Sequence, residues 1–364
     1  MKLGSLFDGS GGFPLAARLA GIEPVWASEI EPYPIAVTRK HFPEMKHFGD
    51  VSRIDGGKVE SVDVITFGSP CQDLSVCGRQ KGLDGERSGL FFQAVRIIKE
   101  MRGATNGKFP RYAIWENVLG SLSSNNGNDF ARVFDELLAV VDVAPVVRPS
   151  DGWRKAGAIL GDAFSLCWRV LDAQFFGLAQ RRRRVFLVMD FRSQSSPTVL
   201  FNAKHGALCT EEVTQKNETY PERSRGLSQT SDFYASGRGD FFQRVERSKF
   251  PTLSKSDAST APIVFYDGKA RFITPRESGL LQGFSSDWGK IDAIDESEFP
   301  FWREVWNEYA RVFEKRTRSD KQVRSWMASP YREAAEYAMW GNGVALPCVR
   351  YILENIAEIL RKES

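Results

Sequence analysis

The stretch SPCQDLSVCG, Ser69 to Gly78, places a thiol between a proline and a glutamine where an apolar run gives way to a glycine-rich loop. A cysteine attacks as its thiolate, so reactivity needs access and surroundings that favour charge. The run VDVITFG, Val62 to Gly68, reads as a strand that delivers Ser69, Pro70 and Cys71 to its end, and the following QDLSVCGRQKGLDGERSGL can close over them. The alternative is an inert buried thiol, the usual state of a single cysteine. IWENVLG supplies a second reacting group: Glu116 and Asn117 emerge beyond Trp115 at the end of another strand. Desolvation there raises a carboxyl pKa, making it a proton donor or a partner for a ring nitrogen. In LAQRRRRVFLV, strand alternation sends Arg182 and Arg184 to one face and Arg181 and Arg183 to the other. One pair can enter a site while the other stays solvated; a plain basic patch is the alternative.

A ligand loop precedes these groups. In LFDGSGGF, Leu6 to Phe13, a strand ends at Phe7, glycines 9, 11 and 12 make a tight turn, and a helix begins. Backbone N–H groups and a helix N-terminus therefore face out at the C-terminal edge of a sheet. The spacing differs from the G-x-G-x-x-G of dinucleotide binders, and a purely structural turn accounts for it equally. Glu29 ends the next strand, where such folds bind ribose hydroxyls. Asp50, in FGDVSRID, can accept from an adenine amino group. Together they favour an adenosine-containing ligand, and the lack of a phosphate-cradling lysine argues against ATP.

These groups need a scaffold that gathers strand ends. From Lys2 to about Val188, short apolar runs alternate with helical periodicities, which predicts an α/β, doubly wound, mostly parallel sheet. Strands are expected over 3–7, 24–29, 62–68, 112–116 and 185–190, and helices over 13–20, 32–41, 90–101 and 129–140. After Asp190 the texture turns Ser-, Arg- and Gly-rich, predicting a smaller irregular, β-rich domain up to Ile273. Its stretch SRGLSQTSDFYASGRGDFFQRVERSK interleaves arginines with aromatics, which suits phosphate and base contacts, or a solvated loop. Apolar residues from Phe301 to Phe313 and from Val349 to Leu360 recur at helical spacing. The expected division is 1–190, 191–273, 274–340 and 341–364.

Composition sets the outer bounds. A chain of 364 residues with 42% hydrophobic content supports two domains, and a net charge of +3 permits a nucleic-acid partner without demanding one. The five cysteines form no CxxC pair and the three histidines lie far apart, so neither a disulfide framework nor a zinc or other metal site is expected. Such usage fits a reducing cytoplasm. No signal peptide and no apolar run of membrane-spanning length is found.

In this order, the motifs resemble those of the C5-cytosine DNA methyltransferase family of bacterial or phage type, and the resemblance covers most of the chain. LFDGSGGF is similar to the family's S-adenosylmethionine loop, SEIEPY and FGDVS to its adenosine-binding strand ends, and SPCQ with GRQKGLDGERSGLFF to its nucleophile segment and mobile loop. WENV, AQRRRRVFLV, TPRESGLLQGF and GNGVALP resemble its remaining motifs, and residues 191–273 fall where it places a target recognition domain. The resemblance implies catalysis by Cys71, Glu116, Arg182 and Arg184. It implies an S-adenosylmethionine site, left holding S-adenosylhomocysteine, built from Phe7, Asp8, Gly9, Ser10, Gly11, Gly12, Glu29, Ile30, Asp50, Val51, Pro70, Leu90 and Asn342. DNA contacts fall to Gln72, Ser75, Cys77 and Arg79.

The expected substrate is a cytosine flipped out of double-stranded DNA, methylated by a monomer in the cytoplasm near the nucleoid, with room for a cognate restriction endonuclease. An RNA cytosine methyltransferase and a non-catalytic DNA-binding relative are the other readings. Two departures stand out: Ser69 replaces the first proline of the family's Pro-Pro-Cys-Gln, and the stretch from Trp288 to Met339 is longer than the family minimum.

Overall fold

Along Tyr112–Val118 and Arg183–Asp190 consecutive residues are buried, with neighbours belonging to opposite cores. Tyr112 and Ile114 join one hydrophobic cluster, Ala113 and Trp115 the other. Phe186 and Val188 likewise oppose Val185, Leu187 and Met189. A strand covered on both faces has no polar side to show, and so reads as one apolar run.

In the computed structural model the described residues are 1–69, 89–202, 232–237, 240–247, 250, 252–254, 263–266 and 269–363. The main sheet comprises β1 (Lys2–Leu6), β2 (Glu23–Ser28), β3 (Lys46–His47), β4 (Val64–Phe67), β5 (Tyr112–Val118), β6 (Ala156–Leu160), β7 (Ser165–Asp172) and β8 (Arg183–Asp190). Its order is β3-β2-β1-β4-β5-β8-β7-β6. β3 through β5 of that order run parallel, while β8, β7 and β6 add by antiparallel pairing. The chain reverses between β1 and β4, the switch point where open α/β sheets bind ligands at their carboxyl edge.

Helices α1 (Gly12–Ala20) and α2 (Pro32–His41) contribute to one core, and α3 (Gly89–Ala104) and α4 (Asn128–Leu138) to the other. The short α5 (Ser196–Phe201) follows β8. A second sheet, β10-β9-β11-β12, holds β9 (Asp232–Gly237), β10 (Asp240–Arg247), β11 (Ile263–Tyr266) and β12 (Lys269–Phe272). Then come α6 (Pro275–Leu281), α7 (Phe299–Val312), α8 (Asp320–Ala328), α9 (Glu333–Asn342) and α10 (Leu346–Glu363).

The mostly parallel sheet matches the sequence reading except in three strands. β3, β6 and β7 were not foreseen. β6 is largely half-exposed, and β7 carries Arg169, whose guanidinium donates to the Leu200 carbonyl, 2.9 Å. Residues 274–340, read from sequence as part of the small domain, bury Trp288, Trp302 and Trp340 in the core that also holds Ala17 of α1 and Ile35 of α2. Their aromatic faces need apolar cover, and α1 and α2 supply it.

Candidate active site

The loop after β1 turns sharply. Phe7 has φ 57°, and Gly9 and Gly11 have φ 54° and 75°, a region glycine enters without steric cost. Gly11 caps α1, and its N–H donates to the Asp8 carbonyl, 3.1 Å. Glu29, just past β2, ties this loop to its own strand end: its carboxylate accepts from the N–H groups of Gly9 (2.8 Å), Ile30 (2.7 Å) and Glu31 (2.9 Å). Burial raises the Glu29 pKa, Glu31 adds to the rise, and those N–H groups oppose it. Asp50 accepts from the Ser52 N–H, 2.9 Å, and pairs with Arg311, 2.6 Å. Burial pushes its pKa up, but the Arg311 and Ser52 contacts outweigh that and hold it below the ordinary carboxylate value. Val51 is buried beside it, while Ile30 and Leu90 are half-buried.

Asn342 ends α9, and its neighbour Gly343 packs on the glycine loop; a Cβ there would lie 2.9 Å from Ser10 Oγ. Ser10 Oγ and Asp8 Oδ2 are buried without hydrogen-bond partners among the described residues. Carboxylates offer about four lone-pair sites, so both Glu29 and Asp50 retain acceptor capacity. Orphaned polar atoms and unused acceptors around a glycine turn fit an adenosine-containing ligand.

Asp8 carries a stability consequence. Burial pushes its pKa up to about 8, against the Ser5 hydroxyl bonded to it at 2.6 Å and helped by nearby Glu29. A raised folded-state value means the stabilisation is complete below the ordinary carboxylate pKa and is lost as pH rises toward 8, by at most about 1.4 kcal/mol per pH unit. Asp8→Asn is expected to flatten that fall: thermal melts at pH 5 and pH 9 should differ more for the native protein than for the variant.

The second cluster lies where β4 and β5 end and the antiparallel β8 begins. Glu116 of β5 is 9% exposed, and its Oε1 lies 3.2 Å from Arg184 Nε. Both residues share the face of Ile114 and Phe186, as alternation requires. Burial raises the Glu116 pKa; Arg184 and then Arg182 oppose the rise. A Cβ on Gly68 would lie 3.5 Å from Glu116 Oε2, so the β4 end abuts this carboxyl. Ser69, the next residue, is pinned from β5: Trp115 Nε1 donates to its hydroxyl and Asn117 Nδ2 to its carbonyl, each at 3.3 Å. Pro70, Cys71, Gln72, Ser75, Cys77 and Arg79 lie outside the described residues.

Arg182 shares the face of Arg184 but makes different contacts. It is buried, and its guanidinium donates to the carbonyls of Leu253 (3.0 Å), Gly341 (3.2 Å) and Gly343 (2.5 Å). It thereby ties the start of β8 to the small-domain connection and to the segment over the glycine loop.

The structure also brings in residues that sequence reasoning missed. Trp288 Nε1 donates to the Ser10 carbonyl, 2.8 Å, and Arg311 of α7 holds Asp50. Both come from the overlong stretch whose role was unassigned; its length was the one available signal.

The match to known proteins agrees with this geometry. Residues 1–140 match the model of the C-5 cytosine-specific DNA methylase family. The resemblance carried by the motifs is thus borne out. The chain is 27% identical over 321 residues to the type II methyltransferase M.DsaV of Dactylococcopsis salina, covering 84% of this chain and 82% of that one. It is 36% identical over 225 residues to the DNA N-6-adenine-methyltransferase of Escherichia phage P1, over 54% of this chain. It spans only 30% of that phage protein's length. The crystal structure of the S. pombe Dnmt2 methyltransferase aligns with a TM-score of 0.58 at 16% identity, covering 99% of both chains, which establishes the fold. Among the described residues no helix is long and apolar enough to cross a membrane, and no cluster of three metal-ligating side chains occurs.

Proposed function

We propose that the protein methylates C5 of a cytosine flipped out of double-stranded DNA, at a specific short sequence, from S-adenosylmethionine. The observation that carries this reading is a buried carboxyl of raised pKa, Glu116, set against Arg184 and beside the pinned Ser69 from which the chain runs directly to Pro70 and Cys71. Cytosine C5 is too weakly nucleophilic to react unaided. Thiolate addition by Cys71 at C6, with Glu116 donating to N3 and accepting from the exocyclic amine, makes C5 an enamine carbon. Arg184 orients Glu116 and offers its remaining donors to the base carbonyl. The glycine loop, Glu29, Asp50 and the Asn342 segment hold S-adenosylmethionine, which supplies the methyl group as an electrophile on sulfonium sulfur. After transfer, loss of the C5 proton lets Cys71 leave. Flipping costs a few kcal/mol of lost stacking and pairing. We assign covering of the vacated stack to the loop from Gln72 to Arg87, and base readout to the β9–β12 region.

The name of the phage P1 relative raises adenine N6 as a target. That amine needs no covalent activation, so it leaves Glu116 and Cys71 without a task, and the activity in that relative's name belongs to a protein more than half of which lies outside the match. The test is methyl transfer from labelled S-adenosylmethionine to mixed-sequence duplex DNA, with transfer RNA in parallel and the product mapped. Label in 5-methylcytosine at one duplex site is expected. Label in N6-methyladenine, or confined to transfer RNA, overturns the reading.

A further inference from the structure

α7, α8 and the chain leading into α9 line, with the first turn of α2, an open pocket of about 650 Å3. That lies within the range of small-molecule sites, roughly 300–1,000 Å3. Among the described residues, none of those expected to hold the cofactor or the cytosine lines it, although Glu31, Pro32 and Tyr33 of its wall directly follow Ile30. α7 stands between the two places: Glu308 and Arg311 turn toward Gly49 and Asp50, while Trp306 and Tyr309 face the pocket.

The walls divide by chemistry. Trp306, Tyr309 and Trp326 are flat aromatic surfaces, with Trp306 and Trp326 edge to face at 5.4 Å. Arg318, Lys321 and Arg332 are cationic, and among the described residues none of the three has a carboxylate within ion-pair distance. Glu31 is the acidic residue on the lining. The Arg318 guanidinium lies over the Trp306 indole, 3.4 Å from its centroid, presenting a planar outer face for stacking. Burial and Arg332 both lower the Arg318 pKa, with Tyr309 opposing, as expected for a cation lacking its counter-ion. Trp306 is 8% exposed, and its indole N–H has no acceptor among the described residues. Unneutralised cations beside aromatic planes, with a buried donor waiting, fit a planar ring joined to an anion.

We propose that this pocket binds a nucleotide, its base stacked among Arg318 and the aromatic wall and its phosphate held by Arg318, Lys321 and Arg332. The nucleotide comes either free from solution or as the end of a nucleic-acid strand. The site is independent of the methyltransferase reading.

The test is calorimetric titration of the full chain with adenosine monophosphate, adenosine, inorganic phosphate and a 5′-phosphorylated trinucleotide, each with and without saturating S-adenosylhomocysteine. Saturable binding of the monophosphate or the trinucleotide is expected, unaffected by S-adenosylhomocysteine, with adenosine and phosphate alone at least about tenfold weaker. Arg318→Gln should weaken binding about tenfold or more. Because Arg318 also packs on Trp306, the exposed Lys321→Ala, expected to weaken binding about fivefold with no change in melting temperature, keeps the test independent of folding. A preference for the trinucleotide assigns the site to strand ends, and the reverse preference to free nucleotides. No saturable binding, displacement by S-adenosylhomocysteine, or indifference to both substitutions overturns the proposal.

Discussion

Cys71→Ala is expected to lower methyl transfer at least about 1,000-fold and to end covalent trapping by duplex DNA carrying 5-fluorocytosine at the target, whereas Cys77→Ala keeps both. The fluorine replaces the proton that must leave C5, so the covalent adduct cannot collapse and its yield counts nucleophiles directly. Two thiols share the glycine-rich loop, but their attachment differs. In sequence Cys71 follows Ser69 by two residues, and the Ser69 hydroxyl and carbonyl are both held by β5. Cys77 follows that anchor by eight residues. Gel-shift of the trapped adduct and mapping of the modified peptide read the result. Trapping that survives Cys71→Ala and vanishes in Cys77→Ala would place the nucleophile at position 77.

The same anchoring explains what the sequence could and could not disclose. β4, β5 and β8 were legible because both of their faces are buried, and Glu116 and Arg184 because alternation carries the face of Ile114 and Phe186 out to the strand ends. β6 and β7 escaped because their signals are weak: β6 is short and built largely of Ala and Gly, with Gly157 small to admit the Trp168 ring, and Arg169 interrupts the apolar stretch of β7. Arg182 was placed on the right face, yet nothing local told that its donors would go to carbonyls at 253, 341 and 343. The Arg311 contact with Asp50 and the Trp288 contact with Ser10 join residues more than 250 positions apart, and no period or turn signal spans such a distance. What sequence reveals here is what repeats locally; what it hides is chosen by tertiary packing.

Those hidden contacts lie at the proposed cofactor site, whereas the chemistry proposed on cytosine turns on one proton. Glu116→Gln is expected to lower kcat/KM by about 100- to 10,000-fold, the usual range for losing a positioned general acid. An amide reproduces the shape and can still donate a hydrogen bond to N3, but it cannot give up a proton as the adduct forms. The sign of the pH dependence follows from burial: the Glu116 pKa is raised, with Arg184 and Arg182 only partly opposing, so the protonated form persists above the ordinary carboxylate value and is lost as pH climbs through the raised one. Thiolate at Cys71 grows in the same direction, and the product of the two gives a bell-shaped kcat/KM profile whose alkaline limb belongs to Glu116. In Glu116→Gln that limb should vanish from the residual activity, leaving only the rise from the thiolate. Loss of fold does not imitate this outcome. A carboxyl with a raised folded-state pKa weakens the fold as pH rises, so the glutamine variant should melt no lower than the native protein on the alkaline side. An alkaline limb that persists unchanged in Glu116→Gln would move the proton donor to another group.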